Sequence, residues 1–287
     1  MRRKILDKGS QALFLLCALM SVIALCTICF FIFKGAVPAI REIGLWDFIS
    51  GSVWKPNNKP QAFGIFNMIV GSLYVTAGGI LMGVPVGVLA AVYMARLCPR
   101  KIYPVLSQAV SLLAGIPSII YGFFGMMVIV PFIQKSLGGN GNSVLAASIV
   151  LAVMILPTII SISEASLRAL PEEYHEGALA LGATREASAY LVMLPAARSG
   201  VVTAIMLGIG RAIGETIAVV MVAGNASILP ESVLKPVRTL TSNIVLEMNY
   251  ASGLHFDALI ATAAVLFLFI LLLNVSLRLL TKGEARV

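Results

Sequence analysis

The sequence predicts an all-α polytopic membrane protein with six transmembrane helices, and three observations predict it. Hydrophobic residues make up 59% of the 287 positions and charged residues only 12%, with a mean hydropathy of +0.96. A soluble domain carries roughly a quarter charged residues, so this chain lacks the polar surface to keep such a body in water. Six stretches reach the length of about 20 apolar residues that a helix needs to cross hydrocarbon. Each is continuously apolar instead of alternating over short pieces, which excludes an outer-membrane barrel. A cytosolic enzyme, a secreted disulfide scaffold and a disordered tail are excluded as well. The net charge of +8 resides at the ends of the apolar runs and forms no stripe interleaved with aromatics, so it does not mark a nucleic-acid surface.

The spans run approximately over 11–33, 66–95, 105–133, 143–163, 201–223 and 256–280. Arg2, Arg3 and Lys4 before the first of them resemble a signal peptide. The apolar run is too long for a cleavable one and no small-x-small site precedes Lys34, so it reads as a retained helix. Residues 1–65 then form an N-terminal helix and first external loop, and 66–287 a five-helix core with a cytoplasmic loop at 164–200. Cations concentrate at the N-terminus, in the 96–101 connection and in the 164–200 loop, which places both termini in the cytoplasm. Cys17, Cys26 and Cys29 lie in the first span and Cys98 in a cytoplasmic turn, so they read as packing residues and not a redox or metal motif. Of the two long outer segments, 34–65 and 224–255, the first carries Trp46 and Trp54 and serves either as a packing lid or as a docking surface. His175 and His255 fall on opposite sides and read as surface residues that share no metal. Pro85 and Pro117 interrupt the second and third spans, as kinks or as gating bends.

The 164–200 loop contains its own helix signals. Pro171 suits a first helical position, and Glu172 and Glu173 complement the dipole of a helix that runs through Leu181. Gly182 suits a left-handed stop, Thr184 a second N-cap, and the second helix ends before Leu194-Pro195. The small residues Gly177, Ala178, Ala180, Gly182 and Ala183 allow close approach by another surface. A surface-lying connector accounts for this pattern as well as a docking knob does.

The fifth span holds Arg211 and Glu215, four apart and so on one helical face. An internal ion pair would lower the cost of burying both; alternatively the guanidinium fork can hold an oxyanion while Glu215 orients it. Gly208, Gly210 and Gly214 give room for helix packing or for substrate, and Thr216 offers a hydroxyl. Thr203 and Asn225 are weaker candidates. No phosphate-cradling nucleotide motif and no catalytic constellation occurs, so the chain reads as neither an ATPase nor an enzyme.

Glu176-Gly177-Ala178, three residues, Gly182, nine residues and Val192-Met193-Leu194-Pro195 resemble the EAA loop of ATP-binding-cassette (ABC) importer permeases, with Gly177 in place of alanine and Val192 in place of isoleucine. Trp54-Lys55-Pro56 with Phe63-Gly64-Ile65, the run 114–122 and Gly210-Arg211-Ala212-Ile213-Gly214-Glu215-Thr216 resemble permeases of the phosphate transport system. The run 217–225 and Ser252-Gly253-Leu254-His255 are similar to the PstC-type subunit more than to the PstA-type. The resemblance implies a type I ABC importer permease fold (MetI-like). It implies that 172–182 is the coupling helix, with Glu172, Tyr174, Glu176, Gly177, Ala178, Leu181, Gly182 and Pro195 engaging an ATPase. Arg211, Glu215 and Thr216 would face the substrate path. No catalytic residue, metal or cofactor is implied for this chain, ATP being bound by partner subunits. The implied partners are a homologous PstA-like permease, two copies of an ABC ATPase, an extracytoplasmic phosphate-binding protein and the lipid of a prokaryotic cell (inner or plasma) membrane. The alternatives are a permease for another oxyanion (sulfate, molybdate, phosphonate) and an ion-driven secondary transporter; the latter predicts inverted repeats, and none is visible.

Overall fold

Within lipid every backbone N–H and C=O must find a partner in its own segment or its neighbours, and the computed structural model meets that demand with helices. It describes the backbone of residues 2–284 and the side chains of residue 11 and residues 13–276. The first helix, α1 (Arg2–Ile43), has 42 residues. At 1.5 Å per residue it is about 63 Å long, twice the hydrocarbon core. A short α2 (Leu45–Ser50) and an antiparallel hairpin, β1 (Trp54–Lys55) and β2 (Ala62–Phe63), lead into α3 (Phe66–Val92). The helix α3 continues through Pro85 and ends in a π-helical turn, Tyr93–Leu97.

Next come α4 (Tyr103–Gly115), α5 (Ser118–Phe124), a second π-helical turn at Gly125–Ile129 and α6 (Val130–Leu137). The following α7 (Val144–Arg168) starts where Ser143 Oγ accepts from the Ala146 N–H at 3.2 Å. The loop beyond it holds α8 (Glu173–Ala180), α9 (Arg185–Ala187), a third π-helical turn (Ser188–Met193) and α10 (Leu194–Ala196). The chain ends with α11 (Arg198–Gly214), α12 (Ile217–Val222), α13 (Leu240–Glu247) and α14 (Leu254–Glu284). Among the described residues, five helices are long and apolar enough to cross a membrane. A sixth crossing results when Arg185–Ala196 and Arg198–Gly214, bent by 75°, count as one span.

The centre of the bundle is α7, which packs α3 on one side and α11 on the other, while α1 lies along α14. Three apolar clusters follow from this. One joins α3, α7 and α12; a second joins α1, the hairpin, α13 and α14; a third lies beside the loop, between the ends of α3 and α7 and the start of α11.

Several expectations are corrected. The segment 34–65 is not an open loop: α1 persists to Ile43 because Gly35, Ala36 and Ala39 let it lie close to α14, where a Cβ on Gly35 would stand 2.9 Å from Ile260 Cγ2. The third span breaks at Ile116–Pro117 and the fifth at Glu215–Thr216, so neither is one helix. Pro171 precedes α8 instead of opening it, with Glu172 at the cap. The second loop helix continues through Pro195 to Ala196, since Pro195 stands at the first turn of α10, where its missing N–H is tolerated. Cys17 and Cys26 are exposed on α1, so they are not buried packing residues within the described part of the chain.

Candidate functional site

Two spans are broken at mid-length, and the helices that follow the two breaks pack together. Ile116 (ψ 126°) and Pro117 (ψ 142°) are extended, as expected of a residue forced out of the helix by the proline that follows and of a proline without a donor. Tyr121 bridges the gap by donating from its hydroxyl to the Leu113 carbonyl at 2.7 Å. In the fifth span Glu215 is extended (ψ 132°), and its Oε1 accepts from the Ala218 N–H at 3.2 Å. Thr216 donates to the Gly214 carbonyl and Thr241 to the Glu215 carbonyl, each at 3.2 Å. Beyond both breaks α5 packs on α12: a Cβ on Gly122 would lie 2.8 Å from Ala218 Cα. Irregular backbone at membrane depth persists where protein or a water-filled cavity covers it, and discontinuous helices are where transporters build their binding sites.

Arg211 stands on the last turn of α11, exposed, on a stripe shared with Thr203, Leu207 and Gly214. The opposite stripe, Val201, Ala204, Gly208 and Ala212, is buried. Arg211 forms no hydrogen bond or ion pair with any described residue. The expected pair with Glu215 is not formed. Four positions make one turn only while the helix lasts, and α11 stops at Gly214, so the carboxylate caps α12 instead. The glycines divide in the same way. Gly208 packs against Ile159, where a Cβ would stand 3.0 Å from Cγ1, whereas Gly210 and Gly214 face open space beside Arg211. Thr203 donates to the Ser199 carbonyl and Asn225 to the Val220 carbonyl, so both serve the backbone. Of the predicted path residues, Glu215 and Thr216 shape the break and Arg211 alone faces outward from it.

The loop folds as a knob whose helices are capped by their own neighbours. At the end of α8, Gly182 has φ +90°; its N–H donates to the Leu179 carbonyl at 2.9 Å and that of Ala183 to Ala178 at 3.0 Å, which completes a Schellman cap. Ala178, expected on the docking surface, is buried instead, because it lies on the face of α8 that packs on the third π-helical turn, and His175 Nδ1 lies 2.7 Å from Ser188 Oγ. Thr184 Oγ1 accepts from the Ala187 N–H at 3.1 Å. The outward surface carries Tyr174, Glu176, Gly177 and Leu181, with Leu181 91% exposed and Pro195 also exposed. Nothing lies within 4 Å of a Cβ placed on Gly177 or Gly182, so these glycines leave the knob smooth toward whatever covers it. Gly182→Val is expected to cost about 1–2 kcal/mol through its left-handed backbone. It should speed hydrogen exchange across residues 173–183; unchanged protection would mean that the cap does not hold the helix.

Residues 83–284 fit the family model of the binding-protein-dependent transport system inner membrane component. The chain is a permease of that family. It is 39% identical over 267 residues to the probable ABC transporter permease protein YqgH of Bacillus subtilis, covering 90% of this chain and 86% of the relative. It is 34% identical over 277 residues to the phosphate transport system permease protein PstC of Mesorhizobium japonicum, covering 89% and 84%. In fold the permease is similar to a chain of a bacterial alginate ABC transporter, crystallised with an alginate pentasaccharide-bound periplasmic protein. The TM-score is 0.61, with 14% identity over 94% of this chain and 96% of that one. A chain of the inward-facing MetNI methionine ABC transporter gives a TM-score of 0.56 at 23% identity, over 77% and 94%. The permease therefore has the MetI-like, type I importer fold and is a multi-pass inner-membrane protein.

Two features of the permease lie outside the expectations drawn from its sequence. At the end that carries the hairpin, Glu247 is buried. Its Oε2 accepts from Trp54 Nε1 at 2.8 Å and lies 2.9 Å from His255 Nε2, and its Oε1 accepts from Arg238 at 2.6 Å. His255 is thus a core residue, not a surface one, and Trp54 is buried while Trp46 stays exposed. The second feature is a row of small residues at every fourth position of α3, Gly79, Gly83, Gly87 and Ala91, buried along the seam with α7. The four-residue spacing was visible in the sequence; the Glu247 network left no local signal.

Proposed function

We propose that this permease is the PstC-type subunit of an ATP-driven phosphate importer and forms the translocation path with a homologous PstA-like permease. Arg211 carries the reading: an exposed guanidinium in the last turn before the break in its own span, without a hydrogen bond or ion pair among the described residues. An ionised arginine within a span costs about 2.5–3.5 kcal/mol on insertion scales, so it faces a bundle interior or water. Its planar fork can hold two oxygens of a tetrahedral oxyanion at once, which an ammonium cannot. The Glu215 carboxylate accepts from the Ala218 N–H and makes no ion pair with Arg211, so the donors of the fork stay open. Relatives that bear the name of phosphate permeases support the same substrate.

In this reading both termini and the α8 knob are cytoplasmic. Two copies of an ABC ATPase bind ATP, and one of them receives α8 in a cleft, through Glu172, Tyr174, Glu176, Gly177, Leu181 and Gly182, with Pro195 behind them. An extracytoplasmic phosphate-binding protein delivers the anion at the hairpin end. ATP closes the ATPase dimer, α8 moves with it and the path opens outward; hydrolysis returns it to the inward-facing state. The binding protein supplies capture, so Arg211 needs to provide only a transient contact.

Uptake of labelled phosphate by a strain lacking its own permease tests the assignment. Arg211→Lys keeps the charge and loses the fork, and should lower uptake roughly tenfold, the scale of one charge-assisted hydrogen bond. Arg211→Gln should lower it further. Wild-type uptake by the lysine variant would remove the fork from the mechanism, and transport of sulfate or molybdate in preference to phosphate would reassign the substrate.

A further inference from the structure

Beneath the α8 knob two arginines hold the helix ends in a reciprocal clasp. Arg96, in the π-helical turn that ends α3, donates from Nη2 to the Leu167 carbonyl at 2.7 Å. Arg168, the last residue of α7, donates from Nη2 to the Met94 carbonyl at 2.9 Å. Each guanidinium thus satisfies a carbonyl at the C-terminal end of the other's helix, where acceptors lack helical donors and the dipole favours a cation. Their remaining arms reach outward. Arg96 Nη1 pairs with Glu172 Oε2 at 2.6 Å, at the cap of α8, from a side chain only 9% exposed. Arg168 Nε pairs with Glu164 Oε1 at 2.7 Å, and its guanidinium lies 4.3 Å from the centre of the Tyr103 ring, at the first residue of α4.

We propose that Arg96 and Arg168 are positioning residues that convert displacement of α8 into movement of α4. The inference rests on the reading of α8 as the ATPase-docking element and adds the route by which its motion leaves the loop. Glu172 passes the displacement to Arg96, Arg96 to the end of α7, and Arg168 to Tyr103 at the base of α4. The recipient is suited to move. None of the 13 residues of α4 is buried. Within the chain α4 packs mainly along α7, and it leads straight to the break at Ile116–Pro117. The chemistry demands arginine, because Nη1 and Nη2 of Arg96 serve different partners in one plane, and a lysine point charge cannot hold both in register. Polar contacts suit a joint that must shift between two arrangements, since their partners can be exchanged without opening an apolar core.

The test uses the complete transporter in proteoliposomes, with the loaded binding protein, and reads phosphate taken up per ATP hydrolysed. Arg96→Lys and Arg168→Lys should retain the ATPase on purification and lower that ratio roughly tenfold, the scale of a charge-assisted hydrogen bond. Tyr103→Leu removes only the α4 arm and should lower it too; it carries the test alone if the arginine variants fail to assemble. A wild-type ratio in assembled variants would overturn the clasp as a transmission joint, because a merely structural role predicts loss of complex and not loss of coupling. Leu181→Glu separates this from the reading beneath it. If that variant sheds the ATPase while the clasp variants stay coupled, the clasp fails and docking stands; if the ATPase is retained in full and coupled, docking by α8 fails and the clasp loses its input.

Discussion

Glu247→Ala is expected to destabilise the permease by about 3–5 kcal/mol, the range for removing one partner of a buried charge pair. The carboxylate accepts from Trp54 and Arg238 and contacts His255, and its removal leaves all three facing a cavity. The Arg238 cation suffers most. It is 19% exposed, and its other bonds, to the Asn225 carbonyl at 2.9 Å and Asn243 Oδ1 at 3.0 Å, supply no negative charge. The network joins the hairpin, the segment after α12, α13 and the start of α14, so its loss loosens the whole hairpin end. Thermal unfolding in detergent would show a clear drop in midpoint, with a smaller drop for Glu247→Gln, which keeps an acceptor. An unchanged midpoint in the alanine variant would mean that the network does not hold this end together.

Gly83→Leu should prevent α3 from seating on α7. A Cβ at this position would stand 2.8 Å from Ile155 Cδ1 and 3.0 Å from the Ala152 carbonyl oxygen, and backbone cannot yield as a side chain can. The neighbouring Gly87 would bring a Cβ within 2.8 Å of Ile159 Cγ2. Apolar faces gain no hydrophobic drive against lipid, so helix association there depends on close packing by small residues. Overpacking a tight interior typically costs about 1–3 kcal/mol, and a leucine against a carbonyl belongs at the upper end or beyond it. The measurement is the yield and thermal midpoint of purified permease, with Gly177→Leu, which meets open space, as the control for the substitution itself. A Gly83→Leu protein as abundant and as stable as wild type would mean that the seam is not the axis of the fold.

Most of the architecture was legible in the residues because its causes are local. An apolar run long enough to cross hydrocarbon must be a helix, and nothing far away in the chain changes that. The knob was legible for a similar reason: Gly182 and Thr184 cap by bonds that reach only a few residues. Pro117 announced an interruption, although how completely it separates α4 from α5 depended on what the freed backbone could find nearby, including the Tyr121 hydroxyl. The break at Glu215 gave no such warning. The apolar pattern runs on through 217–223, and a continuous helix would have aligned Arg211 with Glu215.

Sequence by itself determined the number of apolar runs, the α8 knob and the presence of a guanidinium within a span. Tertiary structure decided which groups meet. Trp54 and Glu247 are 193 positions apart and share a buried hydrogen bond that neither neighbourhood foretells. Glu215 turns to the Ala218 N–H, so Arg211 is left to face out of its own chain. The reason is one of range. Helix formation and capping are settled by bonds between near neighbours, whereas the partner of a buried charge is settled by whichever group the packing of distant segments brings within reach, because leaving it unpaired costs more than any local preference can recover.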